Sequence, residues 1–313
     1  MKNPIWIYFK GMAMGAADVV PGVSGGTIAF LMGIYERLLE AIGSFSVPTL
    51  RLLLKGEFKA FSRKTDLIFL ILLFAGIATS VISFAKLFKY LLANHEVLTM
   101  SFFFGLIIAT VWVVGRRIKK WNVSAIILFL IGAGLAIGIS FSGQIEGSSN
   151  PFYLFLCGFI AICSMILPGV SGSFVLLLLG NYGLVIETIS DLPAAILSFD
   201  IDGIMAGLWI MIPFGLGAVT GILSFAKVLS WLFNNYENSL LAILTGFVLG
   251  SLSIIYPWKK VLRTEIIHGK EKVLETMRYI PEIDTHFFMA IGLILIGIVL
   301  VASIEYFGNK ELR

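Results

Sequence analysis

Histidine, cysteine and charged residues are scarce in this chain, which has three histidines, two cysteines and 13% charged residues among its 313 positions. His95, His268 and His286 lie between apolar segments or at their ends, so the pattern predicts no histidine base within a membrane core. Cys157 and Cys163 share one apolar segment, and no metal-ligand spacing surrounds them. These scarcities predict that the chain is not an enzyme and that it holds no metal or other cofactor.

Apolar residues are abundant instead, at 58% of the chain with a mean hydropathy of +0.96. No soluble domain needs that much apolar surface, so the composition predicts an all-α, polytopic membrane protein. The net charge of +4 comes from basic residues clustered in loops, which is typical of topology signals and not of nucleic-acid binding. Six uninterrupted segments can each cross ~30 Å of hydrocarbon, namely residues 66–91, 97–115, 121–141, 203–232, 239–257 and 286–306.

The run Pro-Gly-Val-Ser-Gly occurs twice, at Pro21–Gly25 and at Pro168–Gly172, near the centres of the apolar stretches 5–42 and 151–187. Irregular backbone at membrane depth is tolerated only where it is buried in protein or lines a cavity. Two breaks at corresponding places in two halves are typical of a transporter binding site. The alternative is a purely structural role, in which each Pro-Gly pair only kinks a helix so that the helix can pack against its neighbours.

The similarity between the halves extends beyond this run. The matches include Gly33 and Gly180, Tyr35 and Tyr182, Ser83–Lys86 and Ser224–Lys227, Asn94 and Asn235, Glu96 and Glu237, and Gly105 and Gly246. Because the order is preserved, duplication is the better explanation. The chain is therefore predicted to be one membrane domain built from repeats at 1–145 and 150–313.

The distribution of basic residues predicts that these repeats are inverted. The 51–65 and 116–120 loops are rich in Lys and Arg and should be cytoplasmic, whereas 142–150 and 187–202 carry neither and should be external. Each repeat then has one re-entrant broken-helix hairpin plus three transmembrane helices, and an odd number of helices reverses the second repeat.

Both broken segments predict an anion site. Proline ends a helix, glycine permits close approach, and a Ser24 or Thr27 cap would start a helix over about 27–41 whose N–H groups and dipole attract an anion. The candidate substrate-binding positions of the first copy are Pro21, Gly22, Ser24, Gly25, Gly26 and Thr27. Those of the second copy are Pro168, Gly169, Ser171, Gly172 and Ser173.

Charged residues near membrane depth add further candidates, because such residues usually face a pathway or a partner. Arg37 can hold a phosphate with its forked donors. Lys86 and Lys227 are related by the repeat, and each either binds an anionic headgroup or snorkels to the membrane surface. Asp18 and Glu36 are candidates for coupling transport to a cation. Alternatively, either residue could pair with Arg37, and Asp18 could cap a helix.

The segments Gly15–Thr27 and Gly33–Arg37 resemble the signature of a bacterial membrane family, the polyprenyl-phosphate transporters (PopT), formerly a family of unknown function. Leu167–Gly172 resembles it as well, and the resemblance covers nearly the whole chain. It implies a flippase in the cytoplasmic membrane that returns undecaprenyl phosphate from the outer to the inner leaflet, recycling this lipid carrier for peptidoglycan and other envelope polymers. Ser173 and Phe174 replace Gly26 and Thr27, which predicts that the second site binds less of the headgroup.

Two other functions compete with this one. The Gly-Val-Ser-Gly runs resemble the Gly-x-Ser-Gly of rhomboid proteases, but that chemistry needs a histidine within reach of the serine. A secondary carrier for a small anion, similar to chloride-channel-type proteins, uses the same helix N-termini and fits nearly as well. The sequence leaves the oligomeric state and any coupling to a proton or sodium gradient open.

Overall fold

The computed structural model describes residues 4–20, 23–267 and 270–310 of the chain. In the first half, a broken segment and two short helices precede three long helices: α1 (Pro4–Asp18), α2 (Gly25–Leu31), α3 (Tyr35–Gly43), α4 (Val47–Leu54), α5 (Phe58–Lys64), α6 (Leu67–Asn94), α7 (Glu96–Gly115) and α8 (Val123–Phe141). We call residues 19–24, between α1 and α2, the first break.

The second half repeats this beginning and then adds a hairpin: α9 (Pro151–Ile166), α10 (Gly172–Leu178), α11 (Tyr182–Leu197), α12 (Ile201–Ser251), β1 (Lys259–Ile267), β2 (Lys270–Arg278) and α13 (Thr285–Lys310). The strands are antiparallel, with Lys259 opposite Arg278. Residues 167–171, between α9 and α10, form the second break. The hairpin lies between the predicted spans 239–257 and 286–306, where the sequence analysis predicted no secondary structure, and α4 and α5 occupy most of the expected 51–65 loop.

Long apolar helices dominate the described residues, and five of them are long enough to cross a membrane: α6, α7, α8, α12 and α13. A sixth span arises if α10 and α11 are counted as one, although they are bent by 113°. The prediction of an all-α, polytopic membrane protein is therefore confirmed, with the small hairpin as its exception.

Helix α12 contains the predicted helix 203–232 and most of the predicted helix 239–257 end to end, separated by a kink. Its 51 residues would measure about 76 Å if straight, far more than the ~30 Å of hydrocarbon. Tyr236 interrupts it with φ −137° and ψ 40°. His95, which separates α6 from α7, has φ −140° and ψ 44°. The positions match in the sequence alignment of the halves, so α12 corresponds to α6 and α7 joined across a kink.

The helix predicted over 27–41 is also interrupted, because α2 ends at Leu31 and α3 begins at Tyr35. Gly33 lies in the turn with φ +66°, and Gly180 lies in the turn between α10 and α11 with φ +74°. Positive φ values are readily adopted only by glycine, so the matched glycines permit matched turns.

Glycines let neighbouring helices pack with their backbones in contact. A Cβ at Gly11 or Gly15 of α1 would lie 2.1 Å from the Leu73 carbonyl oxygen or 2.5 Å from that of Ile77, so α1 and α6 run in the same direction. Helices α9 and α12 pack in the same way through Gly217 and Gly221 of α12, whose added Cβ atoms would meet Phe155 and Phe159 of α9.

Other helix pairs join the two halves. A Cβ at Gly105 of α7 would lie 2.1 Å from the Ile294 carbonyl oxygen of α13, and one at Gly246 of α12 would lie 2.1 Å from that of Phe129 on α8. The largest hydrophobic core accordingly contains buried residues from both halves, from Ile7 to Val301. This sharing of helix partners brings the two breaks together.

Candidate functional site

In the first break, the side chains of the chain itself bind the amides that begin α2. The Gly25 amide donates to Asp18 Oδ1 at 2.6 Å, and the Gly26 amide donates to Ser24 Oγ at 3.2 Å. Ser24 is buried and has the extended backbone of an N-cap residue. The predicted Ser24 cap is therefore present, whereas Thr27 lies inside α2. Pro21 and Gly22, both predicted contacts, lie outside the described residues.

The second break has the same backbone plan but a different set of side-chain bonds. Ser171 is the extended N-cap residue of α10, yet its side chain makes no cap hydrogen bond. Its hydroxyl instead lies 2.9 Å from that of Ser173, which is exposed. Met165 stands where the first break has Asp18, so the second break lacks the carboxylate that occupies the first amide of α2.

The second break and the end of α9 contact the segment that directly follows the first break. The Gly169 amide donates to Thr27 Oγ1 at 2.8 Å in a buried hydrogen bond. Tyr35 Oη donates to the Ile166 carbonyl oxygen at 3.1 Å, and a Cβ at Gly26 would lie 2.9 Å from that same oxygen. The Pro168 and Gly172 positions are buried beside this contact. Residues from the two copies of the motif thus form one junction.

Arg37 lies away from these bonds, in α3. Its Nε donates to Asp66 Oδ2 at 2.6 Å and its Nη2 donates to Oδ1 at 3.1 Å, while the guanidinium stacks over Phe69 at 4.2 Å. The suggested pairing of Arg37 with Asp18 or Glu36 is therefore wrong, because Asp66 is the carboxylate it binds. Glu36 is exposed in the first turn of α3.

The two repeat-related lysines have different surroundings. Lys86 is exposed near the end of α6, and Lys227 is exposed on α12 beside Gly43 of α3. The ion pairs found in the described part of the chain, Arg37–Asp66 and Lys119–Glu237, include neither lysine. Among the described residues, neither lysine is therefore linked to the junction by an ion pair.

Sequence reasoning missed two residues that organise this region. Asp66 precedes α6 with the left-handed φ of 46° and holds Arg37 across 29 positions of sequence, and no local pattern indicated that pairing. Tyr35 is buried, and its ring packs on Phe30 and Phe233 while its hydroxyl reaches the second break. Its recurrence as Tyr182 in the second half was a signal that could have marked it.

Among the residues that the structure describes, neither serine hydroxyl of the motif is hydrogen-bonded to a histidine. Ser24 Oγ accepts from the Gly26 amide, and Ser171 Oγ bonds with Ser173. Among the described residues, His95 lies between α6 and α7 and His286 lies in the first turn of α13, outside both breaks. What the second break offers chemically is a pair of hydroxyl groups beside a helix start, which can donate hydrogen bonds to an oxyanion.

The amino-acid sequence of the chain is similar to those of known proteins. Residues 14–273 match the family model described as undecaprenyl phosphate translocase-like (VCA0040-like). The chain is 38% identical over 316 residues to the polyprenyl-phosphate transporter of Vibrio cholerae serotype O1, covering 98% of each chain. It is 34% identical over 272 residues to the polyprenyl-phosphate transporter of Staphylococcus aureus strain NCTC 8325, covering 82% of this chain and 88% of the relative. No solved structure matches. The relatives are named as transporters, in agreement with the prediction that the chain is not an enzyme.

Proposed function

The chain belongs to the undecaprenyl phosphate translocase-like family, and on that basis we propose that it carries a polyprenyl phosphate across the bacterial cytoplasmic membrane. The proposed direction returns undecaprenyl phosphate from the outer to the inner leaflet, where cell-envelope synthesis uses it again. Support for the substrate comes from two relatives named as polyprenyl-phosphate transporters, one of which aligns along 98% of this chain.

The proposed phosphate site is the second break, where the Ser171 and Ser173 hydroxyls lie 2.9 Å apart at the start of α10. The observation that carries this choice is the contrast in capping, because Asp18 and Ser24 already bind the first amides of α2. In the second break neither Met165 nor the Ser171 side chain supplies such a cap, and phosphate oxygens are strong acceptors. This reverses the expectation that the second site binds less of the headgroup. The isoprenoid tail would remain in lipid.

Alternating access in this proposal moves the two halves against each other about the junction. The repeat boundaries at 1–145 and 150–313 and their inversion belong to the proposal. Matched backbone angles at His95 and Tyr236, and matched turns at Gly33 and Gly180, support it. The Thr27–Gly169 hydrogen bond would break or shift during transport. Asp18 and Glu36 are the proposed coupling residues for a proton or sodium gradient.

The decisive experiment measures leaflet exchange of fluorescent undecaprenyl phosphate in proteoliposomes. Replacing both Ser171 and Ser173 by alanine should slow exchange about tenfold, because two donors to the phosphate are lost. The matched control replaces Ser190 and Ser198 of α11, whose exposed hydroxyls bond only to carbonyls of their own helix. Exchange at the normal rate in the Ser171/Ser173 variant would overturn the site.

A carrier for a small anion is the competing function, since the same hydroxyls can donate to any small oxyanion. Parallel proteoliposomes loaded with chloride or inorganic phosphate distinguish the two. Anion flux without lipid exchange by the unmodified protein would replace the proposed substrate with a small anion. Lipid exchange without anion flux would support the polyprenyl phosphate.

A further inference from the structure

A groove with several polar side chains in its lining lies between the end of α3 and the middle of α12. Its volume is about 420 Å³, and it is lined by Glu40, Gly43, Ser44, Lys227, Ser230, Trp231 and Asn234. The lining carries one cation, one carboxylate, two hydroxyls, one amide and one indole. We call it the α3–α12 groove.

Helix α3 forms one wall of this groove by packing antiparallel along α12. Tyr35 at the start of α3 contacts Phe233, with ring centroids 6.0 Å apart. At the other end, a Cβ at Gly43 would lie 3.4 Å from Lys227 Cγ. Because both ends of α3 are held against α12, the groove has fixed walls, and the small residue Gly43 leaves room at its mouth.

The two charged groups of the groove are not neutralised by each other. An ion pair would place Lys227 Nζ within 4 Å of a carboxylate, and the ion pairs in the described part of the chain are Arg37–Asp66 and Lys119–Glu237. Glu40 and Lys227 are both exposed and face the same cavity. A ligand that carries one negative and one positive group would complement both.

The position of the groove along α12 corresponds to the lipid headgroup region. Residues 201–235 form about 52 Å of helix before the kink, which is longer than ~30 Å of hydrocarbon. Lys227 lies nine residues, or about 13 Å, before Tyr236, so it falls near the end of the apolar layer. Trp231 is 55% exposed beside it, and tryptophan is enriched at membrane interfaces.

The leaflet follows from the charges around the kink. Lys119 Nζ donates to Glu237 at 2.7 Å, and the Lys120 amide donates to Asn238 Oδ1 at 3.2 Å. These contacts place the basic 116–120 loop at the same end of the molecule as the kink. By the positive-inside rule that end is cytoplasmic, which puts the groove in the inner leaflet.

We infer that the α3–α12 groove binds the headgroup of a zwitterionic aminophospholipid, with its phosphate at Lys227 and its ammonium at Glu40. A phosphate monoester or an anionic phospholipid would place its negative charge close to Glu40 without compensation. A quaternary ammonium has no N–H with which to donate to the carboxylate. The groove therefore selects phosphatidylethanolamine over phosphatidylglycerol and phosphatidylcholine. This inference does not depend on the transported substrate.

Native mass spectrometry of the delipidated protein tests the inference by titration with these three phospholipids. The unmodified chain should retain one phosphatidylethanolamine molecule more tightly than either of the others. Lys227→Gln and Glu40→Gln should each weaken that binding about fivefold, because each removes a charge-assisted hydrogen bond. Glu40→Gln should also raise the relative affinity for phosphatidylglycerol, since it removes the repelling carboxylate.

Lys86→Gln is the matched control, because Lys86 occupies the repeat-related position on α6 and is likewise exposed. It should leave phosphatidylethanolamine binding unchanged. Thermal unfolding of each variant in detergent shows whether it is folded. Gly43→Phe, which fills the groove while keeping both Glu40 and Lys227, provides a second way to abolish binding. Equal retention of the three lipids, or equal effects of the Lys86 and Lys227 substitutions, would overturn the inference. This test uses no leaflet-exchange assay, so its outcome is independent of whether the proposed transport function is correct.

Discussion

The first and second breaks share the run Pro-Gly-Val-Ser-Gly and differ in the residue three places before its proline. In the first half that residue is Asp18, which accepts a hydrogen bond from the Gly25 amide at 2.6 Å. In the second half it is Met165, which supplies no carboxylate, and the Ser171 side chain does not cap α10 either. The comparison teaches that two copies of one sequence run can differ in how the following helix is capped, because capping depends on a few side chains.

The two halves also differ in what surrounds their breaks. The first half places the short helices α4 and α5 after its broken segment, and the second places the β1–β2 hairpin before its last helix. Ser24 and Thr27 are both buried, whereas Ser173 is exposed. At these positions the first break is therefore the more enclosed of the two.

The largest expected effect concerns the packing of the second break. Gly169 has φ +84°, and a Cβ there would lie 2.5 Å from the Phe247 carbonyl oxygen. Gly169→Ala should lower the free energy of unfolding by roughly 2–4 kcal/mol, because it combines backbone strain with a clash against backbone. Thermal or denaturant unfolding in detergent measures this.

Gly33→Ala separates the two causes. Gly33 also has a positive φ, of +66°, but its nearest neighbour would be the flexible Arg117 side chain at 3.6 Å. Strain alone should cost about 1–2 kcal/mol. If both substitutions cost the same, close packing at Gly169 would not distinguish the second break from an ordinary turn.

The next largest effect is expected when the second break receives an aspartate at the position that matches Asp18. Met165→Asp should place a carboxylate near the Gly172 amide, where it repels a phosphate, and should slow lipid exchange by about tenfold. Met165→Asn is the control, because it can accept the same hydrogen bond without a charge and should slow exchange less. An unaltered rate in the aspartate variant would contradict the assignment of phosphate binding to this break.

A smaller effect distinguishes the serines of the two breaks by stability. Ser24→Ala removes a side chain that caps α2, so it should cost about 1 kcal/mol of unfolding free energy. Ser171→Ala should cost much less, since its hydroxyl caps nothing. Chemical denaturation of the two single variants provides the measurement. The reverse order of costs would show that the second break is the more dependent on its cap.

The smallest effect concerns the hairpin, which only the second half has. Lys259 Nζ donates to the Ile254 carbonyl oxygen, and burial lowers the pKa of this lysine from 10.5 to about 8. Between these values the unfolded chain binds more protons than the folded one, so stability should rise with pH across that window. A melting series across that range should show a rise in melting temperature, and Lys259→Met should remove it. If stability still rises with pH in the variant, another titrating group causes the rise.

Much of the fold could be predicted from the sequence because its signals are local. Proline lacks an amide donor, so the interruption near Pro168 followed from residue type. The turns at Gly33 and Gly180 were not predicted, although glycine readily accepts the positive φ found there. Ser24 was predicted as a cap because an N-cap serine binds an amide only two or three residues away. The long helices followed from uninterrupted apolar length.

The wrong or missing predictions concern groups that are distant in sequence. Arg37 lies one position after an acidic residue, yet it binds Asp66, which is 29 positions away. The hairpin was missed because its strands lie in a charged segment that gives no membrane signal. The predicted helices 203–232 and 239–257 left a gap of six residues between them, and only backbone geometry shows that the break lies at the single residue Tyr236.

The sequence by itself determined the membrane-spanning class, the two breaks and the correspondence between the halves, since each depends on residue type and spacing along the chain. The tertiary structure alone decided which amides are already bound and which carboxylate holds Arg37. It also decided that Thr27 meets Gly169 across 142 positions. Hydrogen bonds form only over about 3 Å, so their partners are fixed by how helices pack and not by order in the chain.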